Sequence, residues 1–472
     1  MPTAQRPGRV LAVVSLAVFM AGLDLFIVNV AMPDLARDFP GSSLGSLSWV
    51  LNAYAIVFAA LMVPAGRIAD RVGRRRVFSG GIALFTVASA LCGLAPSVPV
   101  LVAARGVQAV GAAFLMPASL ALLLPAFPPA RRPVAIGVWA AVGAVAAAAG
   151  PPLGGLLTEV SWRLVFLVNV PVGIAAVVLA GRVLTEARDE TARRPDLAGT
   201  ALLVGAITLL SLGLVQAPEW GWGDSRTVVA LIAGPLGLVA FVVHCARAAA
   251  PVVELPMLRV RSYALANLAG LLFTAAFAAT LLANVLFLTD VWGWSVLRAG
   301  LALAPGPICA TITSVLGGRL AVRFGQRWVA ALGASLFALG AASCALRMEV
   351  EPAYASVLLP AWCVGGAGVG LTLSSLSSAA AAALPPARFA TGTAVFTMSR
   401  QLGAVLGVAI LVAILGTPSP ADALAAFQHG WWFIAASAAA GALTALLLGP
   451  VTHHAPAAAV SNETRVPAAA AR

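Results

Sequence analysis

The stretch GRIADRVGRRR, at residues 66–76, is repeated as GRLAVRFGQRW at residues 318–328. Gly, Arg, Ala, Arg, Gly and Arg recur at matching positions, and each stretch follows a long apolar run. The first copy follows the second apolar run of the chain and the second copy follows the tenth. Because two plain six-helix halves would separate the copies by six runs, we predict two related halves with two inserted helices, most simply the seventh and eighth.

The apolar runs themselves indicate a membrane protein that crosses the bilayer many times. Of the 472 residues, 61% are hydrophobic and 10% are charged, and the mean hydropathy is +0.98. Runs of about 20 apolar residues, the length of a membrane-spanning helix, recur along the chain without the short alternation of a membrane barrel. We predict an all-α membrane protein with fourteen transmembrane helices, near residues 10–31, 49–66, 77–95, 100–124, 134–157, 163–182, 197–216, 228–247, 263–288, 299–317, 328–346, 354–374, 391–415 and 429–449.

The repeat and the helix count together predict the domain organisation. Residues 1–182 are expected to form an N-terminal six-helix bundle, and residues 251–450 a C-terminal six-helix bundle. Residues 183–250 then form a linker that contains the inserted helices 7 and 8. The small and polar tail at residues 451–472 is expected to be disordered in the cytoplasm.

The charge distribution predicts the orientation. All 29 basic residues are arginine, and they crowd into one alternating set of loops. The other set contains only Arg37, Arg163, Arg226, Arg298 and Arg347. Because positive charge marks the cytoplasmic side, we expect both termini in the cytoplasm and the chain in the cytoplasmic (inner) cell membrane. The net charge of +12 therefore reflects topology, and no nucleic-acid partner is expected.

The residue types that usually carry catalysis are sparse and scattered. The cysteines lie in or near the ends of different predicted helices and form neither a CxxC motif nor a Cys/His cluster; they are Cys92, Cys245, Cys309, Cys344 and Cys363. We predict that they are small packing residues, without a metal site or a disulfide. With no nucleophile–base pair and no extramembrane domain, a membrane-embedded enzyme or receptor is disfavoured.

An aspartate interrupts the first apolar run, in the stretch GLDLFIVNVAMP at residues 22–33. At 1.5 Å per residue, Asp24 lies about two-thirds of the way across the membrane, and Arg105 of helix 4 lies at a similar depth. Ionisable residues at such depth are costly, and they usually face an interior cavity and serve function. A carboxylate whose surroundings change can load and release a proton, so we predict that Asp24 and Arg105 couple transport to protons. The alternative is a static ion pair that holds helices 1 and 4 together.

Three further polar residues are predicted to line a substrate cavity. Asn29 lies about one turn beyond Asp24, Gln108 lies beside Arg105, and Arg400 belongs to the stretch SRQLGAVLG of helix 13. Asn29 could equally stabilise packing between helices. Arg400 could equally extend its side chain toward the inner membrane surface.

The repeated loop has the composition of a conformational switch. Gly66 and Gly73 allow close approach and tight turning, and Asp70 is the one acid in a stretch whose arginines include Arg71 and Arg74. Asp70 can pair with neighbouring arginines, or it can lie at a helix N-terminus of the opposite half, where an anion is favoured. Such a contact would form in one conformation and break in the other. The alternative is a solvated loop that follows the charge rule for cytoplasmic segments.

Helix 5 contains a cluster of small residues and prolines in the stretch GAVAAAAGPPLGG, at residues 143–155. Proline removes a helix hydrogen bond, and glycine lets a neighbouring helix pack closely. The pattern predicts a kinked, closely packed helix in which the important positions are Gly143, Gly150, Pro151, Gly154 and Gly155. By itself the pattern does not separate a structural role from a functional one.

These motifs, in this order, resemble those of the major facilitator superfamily, and within it the fourteen-helix drug/proton antiporter branch. GRIADRVGRRR resembles the superfamily's signature between helices 2 and 3, and GAVAAAAGPPLGG resembles its antiporter motif. RGVQAVGAA, at residues 105–113, is similar to the helix 4 motif, with Ala109 where glycine is usual. LDLFIVNVAMP, and WRLVFLVNVPVG at residues 162–173, resemble signatures of the fourteen-helix branch. The resemblance, which extends to about residue 450, implies that helix 5 seals the outward side, a feature generally absent from uptake symporters.

The sequence therefore predicts a proton-driven antiporter that exports small hydrophobic organic compounds, such as drugs or antibiotics, by alternating access. The alternative within transport is a proton-coupled uptake symporter for a small organic solute. The proton gradient is the expected energy source, without a cofactor, and the expected partners are the substrate, protons and lipid around a monomer. With Asp24 the one acid deep in a span, substrates are expected to be neutral or singly positive. Arg105 and Arg400 leave an anionic or zwitterionic substrate as the alternative.

Overall fold

A computed structural model describes residues 7–128, 131–188, 194–384, 389–416, 419 and 421–449. All regular secondary structure in this part of the chain is helical. The predicted disordered tail, residues 451–472, lies outside the described residues. All five cysteines are free thiols.

The helices follow one another through short connections. The first nine are α1 (Pro7–Asp38), α2 (Leu44–Val72), α3 (Arg74–Gly93), α4 (Val98–Leu123), α5 (Arg132–Thr158), α6 (Leu164–Leu167), α7 (Asn169–Val183), α8 (Leu197–Trp220) and α9 (Ser225–Arg247). The remaining helices are α10 (Leu255–Leu258), α11 (Arg261–Leu286), α12 (Val296–Leu303), α13 (Pro305–Phe324), α14 (Gln326–Arg347), α15 (Leu359–Ala382), α16 (Phe389–Leu415) and α17 (Ala423–Leu446). A short π-helical turn extends α11 at Phe287–Val291, and another precedes α15 at Tyr354–Leu358.

Thirteen segments of the described chain are long and apolar enough to cross a membrane. Two of these segments combine adjacent helices: α6 with α7, and α12 with most of α13. The last predicted span, near residues 429–449, corresponds to α17, whose 24 residues include the polar Gln428 and His429. Since α17 packs along α11 and α14, it completes the fourteen predicted positions, and the all-α fold class is confirmed.

Proline explains where two of the spans divide into separate helices. Pro171 in the first turn of α7 has no N–H to donate to the preceding turn, and this missing hydrogen bond divides α6 from α7 at Val168, whose backbone angles remain α-helical. Pro305 occupies the first position of α13, where a missing N–H is tolerated, directly after the break that follows α12. As a result Asn169 begins a helix in the interior of a span.

The two copies of the sequence repeat form the same local structure. In each copy a single glycine joins two long helices, Gly73 between α2 and α3 and Gly325 between α13 and α14. Their φ angles of 128° and 89° lie in the region that favours glycine over residues with a Cβ. The repeat predicted from the sequence is thus a repeat of backbone geometry.

The helices predicted to be inserted, α8 and α9, pack on each other, and α8 also contacts α2 and α16. Asp196 caps the start of α8 by accepting a hydrogen bond from the Gly199 N–H at 2.8 Å. The same carboxylate accepts the Val252 N–H at 3.2 Å and lies 2.9 Å from Nε2 of His244 in α9. This cluster, the Asp196 clasp, ties both helices to the segment before α10. The division into two bundles at residues 182 and 250 stays a prediction.

Candidate functional site

The two charges predicted to act together form a buried ion pair. Asp24 of α1 is 0% exposed and Arg105 of α4 is 1% exposed. Nη1 of Arg105 donates to Oδ2 of Asp24 at 2.5 Å. Charged groups this deeply enclosed need a partner of opposite sign together with further hydrogen bonds, because burial removes their hydration.

Those further hydrogen bonds come from three helices. Gln108 donates to Oδ1 of Asp24 at 2.8 Å, and its Oε1 accepts from Arg105 at 2.6 Å. Asn169, at the start of α7, donates to Oδ1 of Asp24 at 3.0 Å. The Gln108 amide also donates to the Ser89 hydroxyl of α3 at 2.7 Å. We call these five residues the Asp24 network; it joins α1, α3, α4 and α7.

On its other side Arg105 is held by α2. Its Nε donates to the Val50 carbonyl at 3.0 Å, and its guanidinium lies 4.2 Å from the centre of the Tyr54 ring, within the range of a cation–π contact. Arg105 is also one of the residues that line the cavity described next. Arg105 therefore connects the Asp24 network with that cavity.

A cavity of about 80 Å³ lies between helices from both ends of the chain. Its wall consists of Leu25, Phe26, Asn29, Leu51, Asn52, Ala55, Arg105, Thr274, Phe277, Ala278, Leu281, Arg400, Gln401, Ala404 and Val408. Most of the wall is apolar, and the rings of Phe26 in α1 and Phe277 in α11 form an aromatic pair with centroids 6.3 Å apart. Sites for drug-sized ligands usually measure about 300–1,000 Å³, so this conformation holds the central cavity nearly closed.

The predicted cavity residues separate into two groups. Asn29 and Arg400 line the central cavity, and their role in binding substrate stays a prediction. Gln108 differs: it is fully buried in the Asp24 network and is not part of the cavity wall. Its amide is held by two charged side chains and by Ser89, so it has no group free to face a ligand.

Helix α5 packs tightly through the glycines of its C-terminal half. A Cβ at position 150 would lie 2.7 Å from Cβ of Phe26 in α1, and one at position 155 would lie 2.8 Å from Cα of Leu297 in α12. Gly154 faces Ile27, with an added Cβ at 3.1 Å, whereas a Cβ at Gly143 would meet no atom within 4 Å. Close approach therefore requires glycine at 150 and 155. The carbonyl of Pro151 also lies against Gly300 of α12.

The loop between α2 and α3 is held by local ion pairs. Oδ1 of Asp70 accepts from Nη2 of Arg74 at 2.8 Å, which is the pairing with a neighbouring arginine and not with the opposite half. Arg71 lies at the end of α2, and a Cβ added at Gly66 would make an ordinary 3.7 Å contact with Pro117. In this conformation the turn needs Gly73 for its φ angle, whereas Gly66 is not sterically required.

A carboxylate that the sequence analysis missed caps this loop. Glu186, in the segment after α7, accepts the backbone N–H groups of Arg75 and Arg76 at 3.0 and 3.2 Å. These N–H groups belong to the first turn of α3, where an anion is favoured by the helix dipole. The spacing of 111 residues between Arg75 and Glu186 gave no local signal for this contact.

Sequence reasoning also missed several uncharged polar residues. Asn169 and Ser89 join the Asp24 network, and Asn52, Thr274 and Gln401 line the central cavity. The available signal was a polar residue inside an apolar run, the same signal that identified Asn29. Asn169 carries it in the stretch VFLVNVPVG.

The sequence profile described as the Major Facilitator Superfamily matches this chain over residues 14–278 and again over 266–471. The chain belongs to the major facilitator superfamily. The resemblance stated from the motifs is thereby confirmed, and the protein is a multi-pass membrane transporter of that superfamily. The paired match agrees with the sequence repeat and with the glycine turns at Gly73 and Gly325.

Relatives of this superfamily transporter carry names that refer to resistance and export. It is 36% identical over 404 residues to the multidrug resistance protein Stp of Mycobacterium tuberculosis, which covers 85% of this chain and 74% of that protein. It is 36% identical over 413 residues to the cephamycin export protein CmcT of Amycolatopsis lactamdurans, with 86% of this chain and 85% of that protein covered. Both similarities extend over most of the helices.

The fold is also found among solved structures. A D-xylose–proton symporter matches with a TM-score of 0.67 at 14% identity, and the match covers 94% of this chain and 98% of the symporter. At this identity the similarity concerns the fold alone. It agrees with the assignment of the chain to the superfamily.

Proposed function

We propose that the protein exports small, largely apolar organic compounds, such as drugs or antibiotics, in exchange for protons, by alternating access. One observation supports this above the others: a fully buried aspartate is paired with an arginine that also forms part of the wall of a mostly apolar cavity. A change of charge at Asp24 therefore alters the electrostatic environment of the cavity through the side chain of Arg105. The names of Stp and CmcT support drug or antibiotic export as the cargo class.

The proton step uses the geometry of the Asp24 network. Protonation of Asp24 removes the negative charge that balances Arg105, while Oε1 of Gln108 and the Val50 carbonyl still accept hydrogen bonds from the guanidinium. Because the same carboxylate holds Asn169, its neutralisation loosens α7 as well as α4 from α1. Proton binding thus weakens contacts among three helices, and substrate at the cavity wall senses the change through Arg105.

Alternating access needs a seal that opens and closes at the outer surface. We assign this seal to the outer half of α5, where Gly155 packs against Leu297 and Pro151 packs against Gly300 of α12. Glycine at these positions allows the two helices to approach at backbone distance. The similarity of this segment to the antiporter motif favours export over uptake.

At the opposite surface, Asp70 acts as a latch in this proposal. It pairs with Arg74 in the present conformation, and it exchanges that partner for a contact with the opposite half when the protein changes state. In the second copy of the repeat Val322 occupies the matching position, so the latch has one acid only. Arg71, Gly66 and Gly73 shape the loop around it.

The proposal includes an orientation of the protein in the membrane. We place both termini in the cytoplasm and the protein in the cytoplasmic membrane as a monomer, because the arginine-rich loops mark the inner side. The two six-helix bundles then lie on either side of the central cavity, with α8 and α9 outside them.

The direct test is transport into everted membrane vesicles, whose lumen corresponds to the cell exterior. An acidic lumen should drive accumulation of fluorescent or radiolabelled antibiotics and dyes, and a protonophore should abolish it. A panel of such compounds is needed because the cargo is defined by class. No gradient-dependent movement of any compound in a well-folded preparation would contradict antiport.

The same vesicles test the alternative of proton-coupled uptake. A symporter would carry substrate out of the acidic lumen together with protons, so preloaded vesicles would lose their label faster when the gradient is imposed. Accumulation excludes this direction, and gradient-stimulated loss would replace export by uptake.

A further inference from the structure

Four buried polar atoms that have no hydrogen-bond partner among the described residues belong to residues of the central-cavity wall. They are Nδ2 of Asn52, Oγ1 of Thr274, Nε of Arg400 and Nε2 of Gln401, and we call these residues the donor set. Asn52, Thr274 and Gln401 are 1%, 4% and 8% exposed. They belong to α2, α11 and α16, so three separate helices bring the donor set to one cavity wall.

Such convergence is costly unless something binds there. A buried donor without an acceptor loses about 1–3 kcal/mol, and a charged donor loses more. Folded proteins satisfy most buried polar groups, and those left over frequently mark a functional site. Three of the four atoms are nitrogen donors, and a guanidinium has no acceptor atom at all. A partner that satisfies this set therefore provides acceptor atoms, of which oxygen is the most common.

The charge balance of the cavity points in the same direction. Its lining residues include two arginines and no acidic residue. The charge of Arg105 is balanced by Asp24, whose two oxygens are already occupied by Arg105, Gln108 and Asn169. Arg400 has no hydrogen-bond or ion-pair partner among the described residues. The cavity therefore presents one uncompensated positive charge.

The apolar side chains of the wall indicate a second property of the ligand, an apolar body. Phe26, Phe277 and Leu281 face the same space as Arg400. An apolar body fits these side chains, while an anionic head satisfies the donor set. Carboxylate is suited to this role because its two oxygens match the fork of a guanidinium.

We propose that the transported compound is an amphiphilic organic monoanion whose carboxylate binds Arg400, with Asn52 and Gln401 as additional donors. This replaces the neutral or singly positive substrate expected from Asp24 alone. It rests on the proposed function only in that it takes the central cavity as the substrate site. Arg400 is a substrate-binding residue in this assignment, and Asp24 remains free for the proton.

The proposal is tested by binding of three small molecules with one shared ring system. The probes are 1-naphthaleneacetate, its methyl ester and 1-naphthylmethylamine, measured by calorimetry with the full chain purified in detergent. The acid should bind at least about 10-fold more tightly than the neutral ester or the cationic amine, the gain typical of one charge-assisted contact. Equal affinities of acid and ester, or tighter binding of the amine, would overturn the proposal.

Variants locate the effect on Arg400. Arg400→Gln should weaken binding of the acid far more than binding of the ester and so remove the preference for the acid, whereas Arg400→Lys should retain part of the preference. Arg347→Gln is the matched control, because it makes the same change of net charge at an exposed residue at the end of α14. A preference for the acid that survives in folded Arg400→Gln protein would contradict the assignment.

Transport separates this inference from the proposed function. Binding that depends on Arg400, with no proton-driven movement of the acid or of any other compound, would contradict antiport and leave the anion site supported. Proton-driven export of the ester and amine but not of the acid would support antiport and overturn the anion site.

Discussion

The Asp24 network and the central cavity beside it differ in how their buried polar groups are paired. Around Asp24 the protein supplies both members of each hydrogen bond, with donor–acceptor distances of 2.5–3.0 Å. Around Arg400 and Gln401 it supplies donors without acceptors. In the Asp24 network, where every hydrogen bond is made, a carboxylate can bind and release a proton while it stays buried. The donor set, in contrast, lacks acceptors until a ligand binds. Under the proposed function, the Asp24 network couples transport to protons and the donor set binds the cargo.

The largest expected effect comes from removing the proton site. Asp24→Asn preserves the shape of the side chain but cannot titrate, so gradient-driven accumulation in everted vesicles should fall to the level of vesicles without transporter. Exchange of labelled for unlabelled substrate, which needs no gradient, should persist. Undiminished active transport by this variant would place the proton site elsewhere and break the comparison.

Stability gives the sharpest contrast between the two arginines. Arg105→Leu leaves the Asp24 carboxylate buried without its counter-charge and should lower the free energy of unfolding by about 3 kcal/mol. Arg400→Leu removes a charge that has no partner, so the variant should be as stable as the parent or more stable. Thermal unfolding of the detergent-purified proteins, followed by gel filtration, compares the two. Equal losses would mean that Arg400 has a structural partner after all.

The packing of α5 on α12 can be disturbed without changing the Asp24 network or the donor set. Gly155→Ala places a Cβ 2.8 Å from Leu297, and such overpacking costs roughly 1–3 kcal/mol in the closed outer seal. Transport should therefore fall about 10-fold, and labelling of an introduced outer cysteine should increase. Gly137→Ala is the control, since its added methyl group meets no atom within 4 Å. Similar losses in both variants would refute the seal.

The loop offers a smaller test, because its charges are partly exposed. Exposed ion pairs contribute about 0.2–1 kcal/mol, so Asp70→Asn should leave folding intact and slow turnover by only a few-fold. Its signature is a changed balance of inward and outward conformations. Accessibility labelling of outward-facing positions that matches the parent would remove the latch from the mechanism.

The Asp196 clasp is a comparison case in which the carboxylate is fully hydrogen-bonded and lies outside the membrane-spanning segments. The change of its contribution to stability with pH should be the smallest of the effects. Burial by itself raises the pKa of Asp196, but hydrogen bonds from the Gly199 N–H, from His244 and from the Val252 N–H hold the net pKa below its usual value. The stabilisation by this carboxylate is therefore complete above the ordinary pKa of aspartate and is lost as the pH falls through the lowered value. Thermal unfolding of the parent and Asp196→Asn should thus differ by the same amount at pH 9 and pH 8, which both lie well above the ordinary pKa values of aspartate and histidine.

Much of the fold was predictable from the sequence. Apolar length specified the spans, and the repeat specified two helical joints with glycine at 73 and 325. The breaks at Val168 and Ala304 were not predicted, because an apolar run is equally apolar on either side of a break. The Asp24–Arg105 pair was predictable from depth alone, since two isolated opposite charges at one depth of a membrane have strong reason to meet.

The neutral members of the site were harder to predict. Asn52 and Thr274 are common types in spans, and composition does not distinguish a residue that faces a cavity from one that packs against a helix. Gln108 was placed in the cavity because it is close to Arg105, yet hydrogen bonds turn it toward Asp24 instead. Contacts between helices depend on rotation about the helix axis, which a single sequence does not determine.

The unbalanced guanidinium of Arg400 has an electrical consequence. When an anion leaves the cell and one proton enters, two elementary charges cross the membrane in the same electrical sense during each cycle. An elementary charge that crosses 100 mV changes in free energy by about 2.3 kcal/mol, so an inside-negative voltage of that size contributes about 4.6 kcal/mol per molecule exported. Export then generates a current, and it continues when the pH on both sides is equal, for as long as the voltage persists.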